Sequence, residues 1–258
     1  IPGVVGIYKS SDSFIKRFLK TVYRFYEKHT LNLCDCVHVL SKSLQKEYLS
    51  RGVLLSKMHV ISQGVNTHKF AYNPKLADGD KFKLLIVSRL EPIKSIDTVI
   101  YALSALVDNG CNNVELTIVG TGADYIRLVQ KIYELKIDKY IHFYGYIHNF
   151  DVYKIYQNHD VLLLTSKMEG LPNVVLEAQA SGIPVIGTKV GEMTSLLKNG
   201  RGVLVNLNDV KGVSNAITLL MENDDLYENI KLNSRKFVVQ NHSYNQLVNL
   251  YLKMYTVA

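Results

Sequence analysis

The chain has 258 residues, of which 47% are hydrophobic, and it carries a formal net charge of +7. This length suffices for a sizeable core, and no run approaches the roughly 18 apolar residues that a membrane-spanning helix needs. The three cysteines, Cys34, Cys36 and Cys111, are too few for a disulfide framework and lack a second ligand pair for zinc, so we expect reduced, intracellular thiols.

A basic helix is predicted over residues 13–29. Lys16, Lys20, Arg24 and Lys28 recur at every fourth position, with apolar side chains opposite them, and the excess positive charge of the chain is confined to residues 1–73. Two interpretations stay open. The helix packs on a core and exposes a solvated charged face, or it binds an anionic membrane surface, which would place a cytoplasmic protein peripherally on the inner face of the plasma membrane. Nucleic acid is disfavoured as a partner, because no recognisable binding motif accompanies the charge.

Short apolar runs alternate with helical patterns through the remainder of the chain. Such alternation is typical of an α/β fold with a parallel, doubly wound sheet. We predict strands near 83–88, 115–119, 141–143, 161–164, 184–187 and 203–205.

Two cations follow the first of these strands. Arg89 and Lys94 lie in a loop before a predicted helix over 96–106. Parallel sheets bind ligands at the carboxyl ends of their strands, and Arg and Lys are suited to phosphate. In the alternative interpretation, Arg89 pairs with Glu91 and Lys94 lies in water.

A glycine turn, Val119–Gly122, follows the second strand. A lone Gly-x-Gly is often only a tight turn. The turn lacks a third glycine at the dinucleotide spacing and an acidic partner about 20 residues further on, which disfavours a nicotinamide enzyme.

The segment Thr165–Thr188 carries two carboxylates and a helix start. The buried strand 161–164 delivers a loop with Glu169 and Gly170, and Glu177 lies one turn into the helix that follows. Amides at a helix start suit a phosphate, while the carboxylates can accept hydrogen bonds from sugar hydroxyls. The alternative is that both glutamates are solvated surface residues.

Taken as a whole, this segment resembles the signature of family 4 glycosyltransferases, which have the two-domain GT-B fold and retain the anomeric configuration. Further segments resemble the same family in the family's order, and together they cover about residues 37 to 240. They are HVISQGVNTHKF at 59–70, LIVSRLEPIK at 85–94, VGTG at 119–122, IHFYG at 141–145 and YQNHDVLLLTS at 156–166.

The resemblance implies a donor site for a nucleotide-diphosphate sugar. Arg89 and Lys94 would neutralise the leaving diphosphate, Glu169 would orient the sugar and Glu177 would hold the ribose. No metal or other cofactor is expected, because side chains supply the cations. The remaining donor contacts are expected at Gly122, Tyr146, Ile147, Gly170, Leu171, Pro172 and Asn173.

The resemblance also implies a domain division. Residues 1–70 would be a remnant of the amino-terminal, acceptor-binding Rossmann-like domain with the linker, and residues 71–240 the nucleotide-sugar-binding domain. Residues 241–258 would form a terminal helix that packs back on the amino-terminal part. Because the chain begins with Ile1 rather than Met, we expect it to be a fragment.

Four positions depart from the family's pattern. If Val4–Tyr8 is a strand of the amino-terminal domain, Lys9 stands where the family has a catalytic histidine. Ser95 replaces a more usual Gly, Glu192 replaces the second Gly of a Gly-Gly turn, and Ser195 replaces a usual Glu.

The resemblance predicts a retaining glycosyltransferase that moves a sugar from a nucleotide-diphosphate sugar to a saccharide or lipid-linked acceptor in cell-surface polysaccharide or glycolipid biosynthesis. One rival is a non-catalytic nucleotide-sugar-binding or partner module with a degenerate acceptor half. The other is a nucleotide-sugar epimerase, which the Glu169 and Glu177 pattern disfavours.

Overall fold

The computed structural model describes residues 14–72, 81–148 and 151–257, so the predicted strand Val4–Tyr8 and the position of Lys9 lie outside the described residues. The chain divides into two compact units. Unit 1 comprises the described residues up to Ser62 together with those from Leu250 onward, and unit 2 runs from Gln63 to Asn249. Within the described ranges, no helix is both long and apolar enough to cross a membrane.

Unit 1 is built around a short parallel strand pair in which Val37 lies opposite Met58. Its small core comprises Val37, Val39, Val53 and Met58. The side chain of Ser41 caps the second helix by accepting a hydrogen bond from the Leu44 amide. The elements of unit 1 are α1 (Phe14–Leu33), β1 (Val37–Val39), α2 (Lys42–Ser50), β2 (Met58–Val60) and the last turns of α10 (Tyr244–Val257).

The basic helix α1 extends further than the predicted 13–29. It packs on the rest of unit 1 through Leu31 and through an ion pair in which Arg51 Nη1 lies 2.9 Å from Glu27 Oε2. Phe18 and Phe25, which were expected on the apolar face, are 60% and 66% exposed. Among the described residues, this apolar face is therefore not buried in a core.

Unit 2 contains a six-stranded sheet whose strands are all parallel. The strand order is β5-β4-β3-β6-β7-β8. The predicted α/β class and all six predicted strands are confirmed, with bounds that differ only at strand ends. The strands are β3 (Phe82–Val87), β4 (Val114–Val119), β5 (Ile141–Gly145), β6 (Val161–Leu164), β7 (Val185–Thr188) and β8 (Val203–Val205).

Helices cover both faces of this sheet, because successive side chains of a strand point to opposite faces. Leu84 and Ile86 of β3 belong to one hydrophobic core with α3 and α8, whereas Leu85 belongs to a second core with α5, α6 and α7. The helices of unit 2 are α3 (Ile96–Asp108), α4 (Tyr125–Glu134), α5 (Val152–Tyr156), α6 (Asn173–Ser181), α7 (Met193–Leu197), α8 (Val210–Glu222) and α9 (Asp224–His242), followed by the start of α10.

The strand order reverses beside β3. The chain adds β4 and β5 on one side of β3 and then returns to place β6 on its other side, where Leu84 lies opposite Val161. The helices that follow β3 and β6 consequently lie on opposite faces of the sheet, an arrangement that typically forms a ligand crevice at the carboxyl ends of the strands.

Candidate donor site

The loop after β3 is held to the loop after β6. The Thr165 hydroxyl donates to the Ser95 carbonyl at 3.0 Å, and the Lys167 amide donates to the Ile93 carbonyl at 2.8 Å. Ser95 is buried in the left-handed region with φ of 50°, which explains why a glycine would suit this position. Its hydroxyl donates to Asn208 Oδ1 at 3.2 Å, so the serine gains a hydrogen bond that glycine could not make.

The glycine turn after β4 lies directly against the loop after β3. A Cβ atom on Gly120 would overlap the Ser88 carbonyl oxygen, and a Cβ on Gly122 would overlap the backbone of Leu90. Gly120 also has φ of 136°, which an L side chain rarely adopts. Close packing therefore explains why glycine occupies both positions. A donor contact at Gly122 stays a prediction.

Lys94 and Glu169, two of the three expected catalytic residues, form an ion pair. Lys94 Nζ lies 2.7 Å from Glu169 Oε1, and the two side chains are only 18% and 11% exposed. The loop carrying Glu169 is itself braced, because the Glu192 amide donates to the Gly170 carbonyl at 3.1 Å. A Cβ on Gly191 would overlap the Glu169 carbonyl oxygen, so the turn after β7 approaches this loop closely.

Arg89, the third expected catalytic residue, pairs with Glu91 as the alternative interpretation held. The Nη1 atom of Arg89 lies 2.7 Å from Glu91 Oε1, and the Arg89 side chain is 75% exposed. A surface pair of this kind contributes only about 0 to 1 kcal/mol, so a phosphate can displace Glu91 at little cost. The alternative was wrong for Lys94, which does not lie in water but contacts Glu169.

A cleft of about 850 Å³ opens within unit 2 at the carboxyl ends of β3, β4 and β5. Five of the predicted site residues line it, namely Arg89, Tyr146, Ile147, Asn173 and Glu177. The other residues that line it are Asn66, Lys69, Phe70, Val87, Ser88, Val119, Gly120, Thr121, Val152, Val174 and Tyr244.

The remaining predicted residues do not line the described cleft. Lys94 and Glu169 form the ion pair beside it, and Gly170 is exposed with no atom within 4 Å of an added Cβ. Leu171 packs against the second hydrophobic core, and Pro172 is buried at the cap of α6.

Helix α6 presents its amino-terminal end to the cleft through Asn173 and Val174. The Val175 amide donates to the Pro172 carbonyl at 3.1 Å, and the Pro172 cap makes no side-chain hydrogen bond to the preceding amides of Asn173 and Val174. These amides, with the positive end of the helix dipole, favour an anion in the cleft.

Glu177 is a half-buried carboxylate on the wall of the cleft. The Tyr156 hydroxyl donates to Glu177 Oε2 at 2.8 Å. Burial raises the pKa of the Glu177 carboxyl above its usual value, against the lowering effects of the Tyr156 hydrogen bond and the Lys69 charge. Glu177 is therefore not the solvated surface residue of the alternative interpretation.

Tyr146 and Ile147 follow the end of β5, where Gly145 turns the chain with φ of 76°. Tyr146 is 72% exposed, so its ring is free to cover a ligand in the cleft. Residues 149 and 150, which follow, are outside the described ranges.

Sequence reasoning missed two polar residues of the cleft that precede the sheet. Asn66 accepts hydrogen bonds at Oδ1 from the His68 and Lys69 amides at 3.1 and 3.0 Å, which fixes this turn. Lys69 adds a second cation to the cleft beside Arg89. The family-like segment 59–70 contains both residues, but nothing in their spacing assigns them to a site.

Across residues 14–72, 81–148 and 151–257, no group of three or more His, Cys, Asp or Glu side chains is arranged to hold a metal ion. The charged groups that line the cleft are the two cations Lys69 and Arg89 and the half-buried carboxylate of Glu177, beside the first amides of α6. A doubly wound parallel sheet with such a cleft beside the reversal of its strand order defines the class of Rossmann-like α/β proteins.

Residues 69–237 match the family Glycosyl transferases group 1, and the chain belongs to this family. It is 29% identical over 175 residues to the N-acetyl-alpha-D-glucosaminyl L-malate synthase of Bacillus anthracis, a match that covers 67% of this chain and 45% of the relative. It is 27% identical over 245 residues to the capsular polysaccharide biosynthesis glycosyltransferase CapM of Staphylococcus aureus, with 87% and 62% covered. The chain thus spans about half to two thirds of the length of the curated relatives it matches.

Among solved structures, HepE of Anabaena in complex with UDP is similar with a TM-score of 0.83 at 20% identity. The match covers 94% of this chain and 70% of the HepE chain. At this identity the likeness bears on the fold alone, and it confirms the Rossmann-like GT-B architecture.

Proposed function

We propose that this chain carries the donor site of a retaining, family 4 glycosyltransferase. The enzyme transfers a sugar from a nucleotide-diphosphate sugar to a saccharide or lipid-linked acceptor, in the synthesis of a cell-surface polysaccharide or glycolipid. The observation that carries the proposal is the cleft, which is lined by Arg89, by the start of α6 and by the half-buried carboxylate of Glu177. Cations and helix amides suit a diphosphate, and the carboxylate suits the hydroxyls of a ribose.

In the proposed reaction, the bond between the anomeric carbon and the diphosphate oxygen breaks, and the diphosphate departs with the electron pair. The acceptor hydroxyl then bonds to the anomeric carbon on the same face, and its proton passes to the departing diphosphate oxygen. Arg89 and Lys94 stabilise the negative charge that develops on the diphosphate. Glu169, adjacent to Lys94, orients the sugar, so the rate comes mainly from positioning and electrostatics.

We further propose that the donor site needs no metal ion, since Arg89, Lys94 and the amides of α6 supply the positive charge. Nucleotide affinity should then be the same in a chelator as with an added divalent ion. A requirement for magnesium or manganese would overturn this part of the proposal.

Calorimetric titration with UDP, GDP and ADP tests the donor site. Selective binding of one nucleotide that disappears in an Arg89→Ala, Lys94→Ala double variant supports the proposal. The matched control is Lys81→Ala with Lys139→Ala. Lys81 and Lys139 precede β3 and β5, so this double variant also loses two cations, but at the opposite edge of the sheet. A folded chain that binds none of the three nucleotides would instead favour the non-catalytic module.

A membrane role for α1 is proposed on a separate observation, the exposure of Phe18, Phe25 and Tyr26 on a helix that also carries Arg24 and Lys28. Binding to anionic lipid would hold a cytoplasmic enzyme at the inner face of the plasma membrane, near a lipid-linked acceptor. Co-sedimentation with phosphatidylglycerol vesicles, but not with phosphatidylcholine vesicles, is expected. Phe18→Ser with Phe25→Ser should weaken it, whereas Tyr133→Ser, which changes an equally exposed ring in unit 2, should not.

A further inference from the structure

Tyr156 lies beneath the wall of the cleft at the end of α5 and is fully buried. Its hydroxyl makes one described contact, the 2.8 Å hydrogen bond that it donates to Glu177 Oε2. A buried phenol hydroxyl costs free energy unless it is paired, so tyrosine rather than phenylalanine at this position implies a use for the hydroxyl.

The ring of Tyr156 is fixed by its neighbours. Its edge meets the ring of Phe70 at a centroid distance of 5.7 Å and an interplanar angle of 70°. Phe70 is in turn anchored by Arg235, whose guanidinium donates to the carbonyls of Phe70 at 2.9 Å and Thr67 at 3.1 Å. The same guanidinium donates to the carbonyl of Ala180 near the end of α6, the helix that carries Glu177.

The hydrogen bond from Tyr156 consequently restricts rotation of the Glu177 carboxylate. One carboxylate oxygen is occupied by the phenol hydroxyl, while the residue lines the cleft together with Lys69. Carboxylates accept hydrogen bonds at both oxygens, so a donor in the cleft can share the group with Tyr156.

We propose that Tyr156 is a positioning residue, whose hydroxyl holds one oxygen of Glu177 so that the other faces the cleft and accepts a ribose hydroxyl of the nucleotide. This inference rests on the proposed donor site. It adds a residue that contacts no substrate and acts through Glu177.

The test is discrimination between UDP and its dideoxyribose analogue, which lacks both ribose hydroxyls, measured by calorimetry on the full chain. If GDP or ADP binds best, that nucleotide and its analogue replace the uridine pair. The wild type should prefer the natural nucleotide by roughly 10- to 100-fold, the range for a hydrogen bond to a charged group. Tyr156→Phe should reduce this preference by roughly 10-fold while the analogue binds as before, because only the orientation of Glu177 is lost.

A matched control is Tyr227→Phe. Tyr227 is also a buried tyrosine of unit 2, 5% exposed, and its hydroxyl donates to the Asp160 carbonyl at 3.0 Å. This variant loses a comparable buried hydrogen bond and should keep the full preference. A purely structural effect of Tyr156→Phe would weaken both nucleotides equally, and that result would overturn the inference.

A double-mutant cycle with Glu177→Gln separates an effect of Tyr156 that passes through Glu177 from a direct effect of Tyr156 on nucleotide binding. If Tyr156 acts through Glu177, Tyr156→Phe should change nothing further in the Glu177→Gln background. If Tyr156→Phe alone does not fold, the comparison of Glu177→Gln with the double variant decides, and a further loss of affinity contradicts the inference. A wild type that binds no nucleotide overturns the proposed function itself. A wild type that binds a nucleotide but does not distinguish the analogue overturns the ribose contact of Glu177, and this inference with it. A preference that Glu177→Gln removes and Tyr156→Phe leaves intact overturns only the role of Tyr156.

Discussion

Replacing Glu169 by glutamine should strengthen nucleotide binding, although Glu169 belongs to the proposed site. Lys94 Nζ and Glu169 Oε1 lie 2.7 Å apart, and both side chains are largely withdrawn from solvent. Two unit charges about 4 Å apart attract by about 4 kcal/mol at an effective dielectric of about 20. Desolvation offsets much of this, which leaves about 1.5 to 3 kcal/mol for a hydrogen bond between charged groups.

That net free energy holds Lys94 away from an incoming diphosphate. Glutamine keeps the shape and one acceptor oxygen but removes the charge, so Lys94 turns to the diphosphate at lower cost. If about 1.4 kcal/mol of the pairing is released, the dissociation constant of the nucleoside diphosphate that the titration selects falls about 10-fold. UDP stands for that nucleotide below. The sugar contact suffers at the same time, because a neutral amide accepts hydroxyl donors more weakly than a carboxylate. The preference for UDP-sugar over UDP should therefore shrink.

Isothermal titration of wild type and Glu169→Gln with UDP and a UDP-sugar measures both effects. Glu222→Gln at the end of α8 is the control for the unit change in net charge. Unchanged or weaker UDP binding by a folded Glu169→Gln variant would refute the idea that the ion pair restrains Lys94. An equal gain in Glu222→Gln would assign the effect to overall charge instead.

Three further outcomes are expected. Glu177→Gln should weaken UDP binding yet raise the free energy of unfolding, and the gain should grow as the pH rises above 4.5. The pKa of Glu177 is raised in the folded protein, so ionisation of the carboxyl opposes folding over that range. Denaturant midpoints of variant and wild type that stay parallel across pH would contradict this. Gly122→Ala should lower the free energy of unfolding by about 1 to 3 kcal/mol, because the added Cβ overlaps the backbone of Leu90. Gly170→Ala should change it by no more than about 0.5 kcal/mol, because nothing lies within 4 Å of its added Cβ. Equal melting temperatures for the two variants would contradict this difference in packing. Ser95→Ala should be less stable than Ser95→Gly by about 1 kcal/mol, the reverse of the usual order in helices. Both variants lose the hydroxyl contacts, but only alanine keeps the left-handed strain. Urea unfolding of the two variants measures the difference.

The sheet could be predicted from the sequence because its strands are rich in buried apolar residues, and β6 and β7 are buried throughout. In Val161–Leu164 every side chain is inaccessible, so the run VLLL is continuous in apolar character and easy to recognise. The order of the strands was not predictable in the same way. Pairing of β3 with β6 depends on where the connections pass, and a sequence pattern states only that strands exist.

The site was predicted in part, because recognising the strands also locates the loops and helices that follow them. Residue types at strand ends identified Arg89 and Glu177 as part of one crevice, and both line the cleft. The contact between Lys94 and Glu169 was missed because each had been assigned a ligand of its own. Tyr156 was missed because an aromatic residue just before a buried strand has the appearance of ordinary core, and only the position of its hydroxyl distinguishes it.

The ion pair between Lys94 and Glu169 joins residues that are 75 positions apart in the chain. Contacts of such separation form late, because the entropy of closing the loop is lost before the contact can stabilise anything. The donor site accordingly exists only after β6 has docked on β3, and a chain that ends before β6 cannot contain it. A nucleotide that binds only the folded site raises the free energy of unfolding, by about 2.7 kcal/mol when its concentration is a hundred times the dissociation constant. Under the proposed function, supply of donor nucleotide should therefore protect this protein from unfolding and from the proteolysis that follows it.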